Sequence, residues 1–311
     1  MVLRLRRLGA LPAPNLDGSG ERARRWNLLP YVLAAPVVLL VGTFIFAPVV
    51  SGLWTSLHRG GLGTPLASWA GLDNYGRLVS DPITGNTFLV TTLYAVAVVT
   101  LAVGTGLATA LALNRRFRLR AVARTLLTVP WVIPEIAAVL LFPWILNPSF
   151  GVANVFARLL PWVTESPTWL IDPALAFPLV VLITTWKVFP FFTLVILAAL
   201  QTVPSDLYEA ARVDGAGAYR AFRHITLPWL VPTLALSGIL ATIYAFKQFT
   251  LIWLITGGGP GIATQTLVVR TYNTAFRYFD VQYADAMGTL GLLATLVITV
   301  AFLYVLRRFE S

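Results

Sequence analysis

Glu135, Lys187 and Lys247 stand inside long apolar stretches of this sequence and are the residues most able to act on a solute. An ionised group costs at least about 2.5–3.5 kcal/mol at a bilayer centre, so it ordinarily faces a bundle interior or a water-filled path. Either lysine could instead pair with Glu135 and lock two helices together, and both readings stand. Thr184, Trp186, Phe191, Tyr244 and Gln248 lie close to the lysines in sequence. Aromatic faces beside ammonium and amide donors suit a hydroxyl-rich solute, the rings stacking on C–H groups and the donors meeting hydroxyls. A basic cavity would also suit an anionic or phosphorylated solute. Covalent chemistry is poorly served. Cysteine is absent, and His58 and His224 fall on opposite predicted sides, so they cannot share a metal. G-x-S-x-G is missing, and no Ser-His-Asp grouping could assemble across the predicted topology. A P-loop needs a lysine in a glycine loop, whereas the two lysines here lie in TTWKVF and AFKQF. The chain therefore has no route to ATP hydrolysis of that kind.

These residues need elements to hold them. Of 311 residues, 57% are hydrophobic and 12% charged, where a soluble domain carries roughly a quarter charged. That balance predicts an all-α polytopic membrane protein. Six stretches are long and apolar enough to cross, at about 28–57, 88–113, 121–146, 174–200, 229–256 and 283–306. Counting arginines orients them: 16 fall in the 1–27 tail, the 114–124 turn, the 201–228 loop and the C-terminal tail, and 5 on the other side. The basic side is cytoplasmic, so both termini are expected there, and the 1–27 tail is expected to be mobile. The formal charge of +10 thus reads as topology rather than affinity for nucleic acid. Prolines at 130, 134, 143, 178, 190 and 232 interrupt spans three to five, as bends or unwound segments in a transporter or as plain kinks.

The 201–228 loop is too patterned for a simple connector. Asp206 and Glu209 read as a capping box after Pro204; Leu207, Ala210, Ala211 and Asp214 share one helical face; Gly215 can end the helix. A second helix over about 218–226 is expected to stop before Pro228. A face that is small in the middle and flanked by charge suits a groove on another protein, although a surface connector can carry the same pattern. Glu209 could equally pair with Arg212 along the helix.

Glu209-Ala210-Ala211, three residues, Gly215, nine residues, then Ile225, Leu227 and Pro228 resemble the signature of the membrane subunits of binding-protein-dependent ABC importers. The Asp214-Gly215-Ala216 triplet, WKVFPFF, TGGGPGIAT at 256–264 and FDVQYADAM at 279–287 are similar to its sugar branch, the maltose and glycerol-phosphate type. The resemblance covers about residues 28–308 and implies a permease domain of a prokaryotic inner membrane. It implies a cytoplasmic coupling helix at about 204–215, with Glu209 against an ATPase subunit and Gly215 permitting the turn. It also implies a second permease subunit, two ATP-binding subunits that hold the ATP and Mg, and an extracytoplasmic solute-binding protein facing the 257–282 loop. The segments resembling TTWKVFPFF and YAFKQF supply sugar contacts in maltose-type permeases. This chain has Lys247 and Gln248 where that permease has asparagines.

Two other classes remain to be set against this one. An ion-coupled secondary carrier would use Glu135 or Lys187 for its proton, but no inverted repeat relates residues 28–146 to 174–306. A membrane scaffold without transport would have no use for Lys187 or Lys247.

Overall fold

A computed structural model describes residues 29–60, 68–161, 163 and 165–310. The expected tail at 1–27 lies outside them. Contacts divide the chain into two units, one ending at Val50 and one from Ser51 onward. The first span begins with α1 (Leu29–Val41) and continues through a π-helical turn at Gly42–Phe46 into α2 (Ala47–Thr55). Beyond it lie a two-residue antiparallel pairing of β1 (His58–Arg59) with β2 (Ser68–Trp69) and the short α3 (Asp73–Ser80).

Four long helices and one broken pair follow: α4 (Pro82–Asn114), α5 (Arg120–Val132) with α6 (Glu135–Ile145), α8 (Pro173–Leu200), α11 (Leu227–Lys247) and α14 (Val281–Glu310). The shorter α7 (Val152–Ala157), α9 (Ser205–Val213), α10 (Ala218–Ala221), α12 (Thr250–Thr256) and α13 (Leu267–Phe276) connect them. Among the described residues, five helices are long and apolar enough to cross a membrane, or six if the bent pair is one span.

Several expected boundaries move, each for a local reason. Span two starts at Pro82 rather than 88, because Asp81 accepts the Ile83 N–H at 2.9 Å and Pro82 needs no donor partner in the first turn. Span three is bent by 93° between Val132 and Glu135. Span five ends at Lys247, not 256; the chain breaks at Gln248 and restarts as α12. The second loop helix does not stop before Pro228. It runs on from α10 through a π-helical turn at Phe222–Thr226 into α11, the Leu227 N–H reaching back to the Phe222 carbonyl. The turn at Gly42–Phe46 likewise ends just ahead of Pro48. Proline lacks an N–H and crowds the carbonyl four residues back, and the wider turn makes room for it.

The core is built on α4 against α8. Buried positions of α4 recur every three or four residues from Thr84 to Leu113, and the other faces carry exposed leucines and valines suited to lipid. Gly106 sets the approach, since a Cβ there would lie 3.0 Å from Phe192 Cβ and 3.2 Å from the Thr193 N. Hydroxyls bridge the pair on either side, Tyr94 to Thr184 at 2.9 Å and Thr109 to Thr193 at 2.6 Å.

Asp81 anchors one end of this bundle. It takes the Arg270 guanidinium at 2.7 Å and the Thr84 hydroxyl at 2.9 Å, while Arg77 pairs with Asp280 at 3.0 Å over the Tyr283 ring. Burial works to raise the Asp81 carboxyl, but Thr84, the Ile83 N–H and Arg270 together hold it below the ordinary value. A depressed carboxyl stabilises the fold above its unfolded pKa and loses that contribution as pH falls through the folded value. A further acid, Asp285 in the first turns of α14, accepts the Thr55 hydroxyl.

Gly106→Leu is expected to lower stability by about 1–3 kcal/mol through overpacking. A drop in the thermal midpoint of the detergent-solubilised chain, absent in Gly104→Leu where the added Cβ meets open space, checks it.

Candidate functional site

Two helix breaks meet where α12 packs on α6. In span three, an unbroken helix would pair the Pro130 carbonyl with the N–H four residues on, but that residue is Pro134. The chain turns away there, α5 ending with the Ile133 N–H on the Val129 carbonyl at 3.1 Å. Lys187, 7% exposed on α8, fills the gap: its Nζ donates to the carbonyls of Pro130 at 2.8 Å, Trp131 at 3.0 Å and Ile133.

Glu135 opens α6 just beyond the break, where a carboxylate suits the exposed N–H groups of a helix start. Its Oε1 accepts the Gln248 Nε2 at 2.8 Å, and that same amide nitrogen donates to the Tyr244 hydroxyl at 2.7 Å. Gln248 is buried and stands at the break between α11 and α12, and α12 packs on α6. The carboxylate thus meets an amide at the junction of two interrupted spans. Among the described residues no lysine is within ion-pair reach of Glu135, because Lys187 is held by backbone and Lys247 turns elsewhere.

The remaining candidates spread around this junction. Thr184 is fully buried, bonded to Tyr94 and to the Val180 carbonyl. Trp186 meets Phe142 edge to face at 5.3 Å beside an apolar cavity of about 530 Å³ between α6 and α8. Phe191 tilts against Trp131, centroids 5.7 Å apart, on the other side of the break. Lys247 is exposed and lines a mostly apolar groove of about 660 Å³ among α11, α13 and α14, away from Glu135. The sequence alone does not point to Tyr94, Trp131 or the three carbonyls. The spacing of Pro130 and Pro134, four residues apart, was the available signal, since the second proline orphans the carbonyl of the first.

A second arrangement lies at the opposite end of α4 from Asp81. There α9 stands out from the bundle, with Glu209, Ala210 and Asp214 exposed, Ala211 half-buried, and the neighbouring Val213 87% exposed. The expected capping box is not formed: Pro204 occupies the N-cap and no side chain bonds the first-turn N–H groups. Glu209 has no ion pair with Arg212, whose Nε donates to the Tyr208 carbonyl at 3.3 Å. The helix end is well made. Gly215 has φ +72°, its N–H meets the Arg212 carbonyl at 3.1 Å, and the Ala216 N–H closes on Ala211 at 2.8 Å. The Tyr208 hydroxyl meets that of Thr226 at 2.8 Å and ties α9 to the base of the span that follows.

Gln248→Leu removes both donors from the Glu135–Tyr244 bridge and leaves a half-buried carboxylate without this amide. A destabilisation of about 1–3 kcal/mol is expected, read as a lowered denaturation midpoint. Tyr244→Phe, which removes only one acceptor, should cost less.

Residues 102–311 match the family described as "Binding-protein-dependent transport system inner membrane component". The trehalose/maltose transport system permease protein of Thermococcus litoralis is 36% identical over 279 residues, covering 90% of this chain and 94% of the relative. The sulfoquinovosyl glycerol transport system permease protein of Agrobacterium fabrum is 35% identical over 292 residues, covering 92% and 94%. Among solved structures, a bacterial ABC transporter that imports the acidic polysaccharide alginate contains a chain of the same fold. Its TM-score is 0.79 at 23% identity, over 91% of this chain and 96% of that one.

Proposed function

Because the chain belongs to the family of inner membrane components of binding-protein-dependent transport systems, we propose that it is the permease subunit through which an ATP-driven importer passes a sugar or related polyol. A binding protein outside the membrane delivers the solute, and a second, similar permease and two ATP-binding subunits complete the assembly. The observation that carries this reading is α9. It holds Glu209, Ala210, Ala211 and Asp214 on a projecting helix that Gly215 closes in a left-handed conformation. The basic side is cytoplasmic, so α9 faces the ATPase and both termini lie with it. Rigid-body motion of the ATPase pair passes through α9, and the Tyr208–Thr226 bond carries it into the helix that becomes α11.

The solute path runs beside the two helix breaks. Glu135, Tyr244 and Gln248 supply acceptors and donors for hydroxyls, Trp186 and Phe191 supply faces, Thr184 backs the wall, and Lys187 and Lys247 flank it. Sugar and polyol solutes are favoured by the maltose and sulfoquinovosyl glycerol systems named among the relatives. An ion-coupled carrier would need Glu135 or Lys187 to exchange a proton with water. The hold of three carbonyls on Lys187 argues against that use of it.

In the assembled importer, Glu209→Ala should abolish most of the solute-stimulated ATP hydrolysis while the chain still reaches the membrane. Wild-type stimulation in that variant overturns the coupling assignment, and so does failure of any ATPase to co-purify with the wild-type chain. Gly215→Val, strained at φ +72°, should reduce stimulation as well, with wild-type stimulation counting against the turn's role.

A further inference from the structure

An ammonium has three N–H groups, and Lys187 has three carbonyl oxygens around its Nζ, those of Pro130, Trp131 and Ile133. We propose that Lys187 is a positioning residue: a tethered internal cation that holds the broken third span open at a fixed corner and thereby places Glu135. In each half of a broken span, carbonyls that lose their helical donors must find others, because the bilayer offers no water to take their place. Pro134 makes that loss permanent at Pro130. A neutral amine, with two N–H groups, would leave one of the three oxygens unanswered, and a hydroxyl or amide side chain would leave more. The planar fork of arginine points its donors outward and cannot converge them on three oxygens gathered around one point. Lysine is therefore the side chain whose donor geometry matches this cage.

The consequence reaches beyond the cage. Glu135 lies two residues after Ile133, so the corner that Lys187 holds also fixes where α6 begins and where the carboxylate meets Gln248. Span four, which carries Lys187 without a break, thus sets the geometry of a contact between spans three and five. Trp131, which gives the cage one of its carbonyls, has its ring 5.7 Å from that of Phe191, one helical turn along α8 from Lys187. The ammonium is committed to backbone, so its effect on transport passes through Glu135 rather than through contact with solute. The inference rests on the cage alone and does not depend on which solute the chain carries.

The test uses the full-length chain with Lys187→Ala, expressed and purified with n-propylammonium, n-propanol or neither. The truncation removes three carbons and the ammonium, so propylammonium is the missing piece. The expected result is a fall of about tenfold or more in folded yield, with a lowered thermal midpoint. Propylammonium should restore both at least in part, while propanol at the same concentration does not. A variant that folds only in the presence of the amine gives the same answer through its yield. Equal effects of propylammonium and propanol, or none from either, overturn the proposal. So does Lys187→Met with a wild-type midpoint, because methionine keeps the packing and has no donor. Glu135→Cys with Gln248→Cys, bridged by a bifunctional thiol-reactive cross-linker about as long as the two side chains replaced, adds a readout that packing alone does not move. Its cross-linking yield should fall when Lys187→Ala is added and recover with propylammonium, and an unchanged yield without the amine would show that Lys187 does not place position 135. None of these readouts requires solute, ATP or partner subunits, so their failure is separable from failure of the importer reading.

Discussion

A backbone carbonyl inside a bilayer must have a protein donor, and the structure at its centre follows from how that demand is met. Proline at 134 takes away the N–H that the Pro130 carbonyl would use, and the chain bends by 93°. Lys187 answers from a neighbouring span with an ammonium that would be costly in the membrane on its own. Each group removes the other's penalty, so a proline pair and a buried lysine that look like separate faults form one stable joint. Glu135 and Gln248 repeat the pattern at smaller scale, a carboxylate and an amide meeting where two spans are interrupted.

The joint sits against the most extensively packed pair of helices among the described residues. Contact between α4 and α8 is close because Gly106 has no side chain, and buried hydroxyl pairs along the seam give it a fixed register. Lys187 belongs to α8, so the corner in span three is referenced to that closely packed pair. The two ends of the bundle are built differently. One end is knitted by Asp81, Arg270, Arg77 and Asp280 among α3, α4, α13 and α14. The other leaves α9 standing clear, held to the bundle through Tyr208 and the continuous helix into α11. A helix held at its base and open on its outer face leaves that face free of the rest of the chain.

Parts of this were plain in the residues because their causes act over a few positions. Gly215 closes α9 since a left-handed turn favours glycine, and a single residue can announce that. The Asp206–Glu209 pair announced a capping box that is not there, because Pro204 took the N-cap position instead. Pro228 looked like a helix stop, yet the π-helical turn before it accommodates the proline without ending the helix. Competing local solutions of similar cost cannot be told apart without the surrounding packing. The same applies to Lys247 and Gln248, adjacent in sequence, which diverge at a helix end so that one joins Glu135 and the other lines a separate groove.

The sequence by itself determined that the chain lives in a membrane, roughly where its spans fall, and that it carries the importer signature at Glu209–Pro228. Apolar length, charge asymmetry and motif spacing are properties of short stretches and survive without coordinates. Only the tertiary structure decided what the intramembrane charges touch. Pairing Glu135 with a lysine was as reasonable from the sequence as any other choice. The outcome depended on oxygens of Pro130, Trp131 and Ile133 that meet Lys187 across more than fifty residues. A backbone carbonyl carries no mark in the sequence of having lost its donor until the fold shows which side chain has come to replace it.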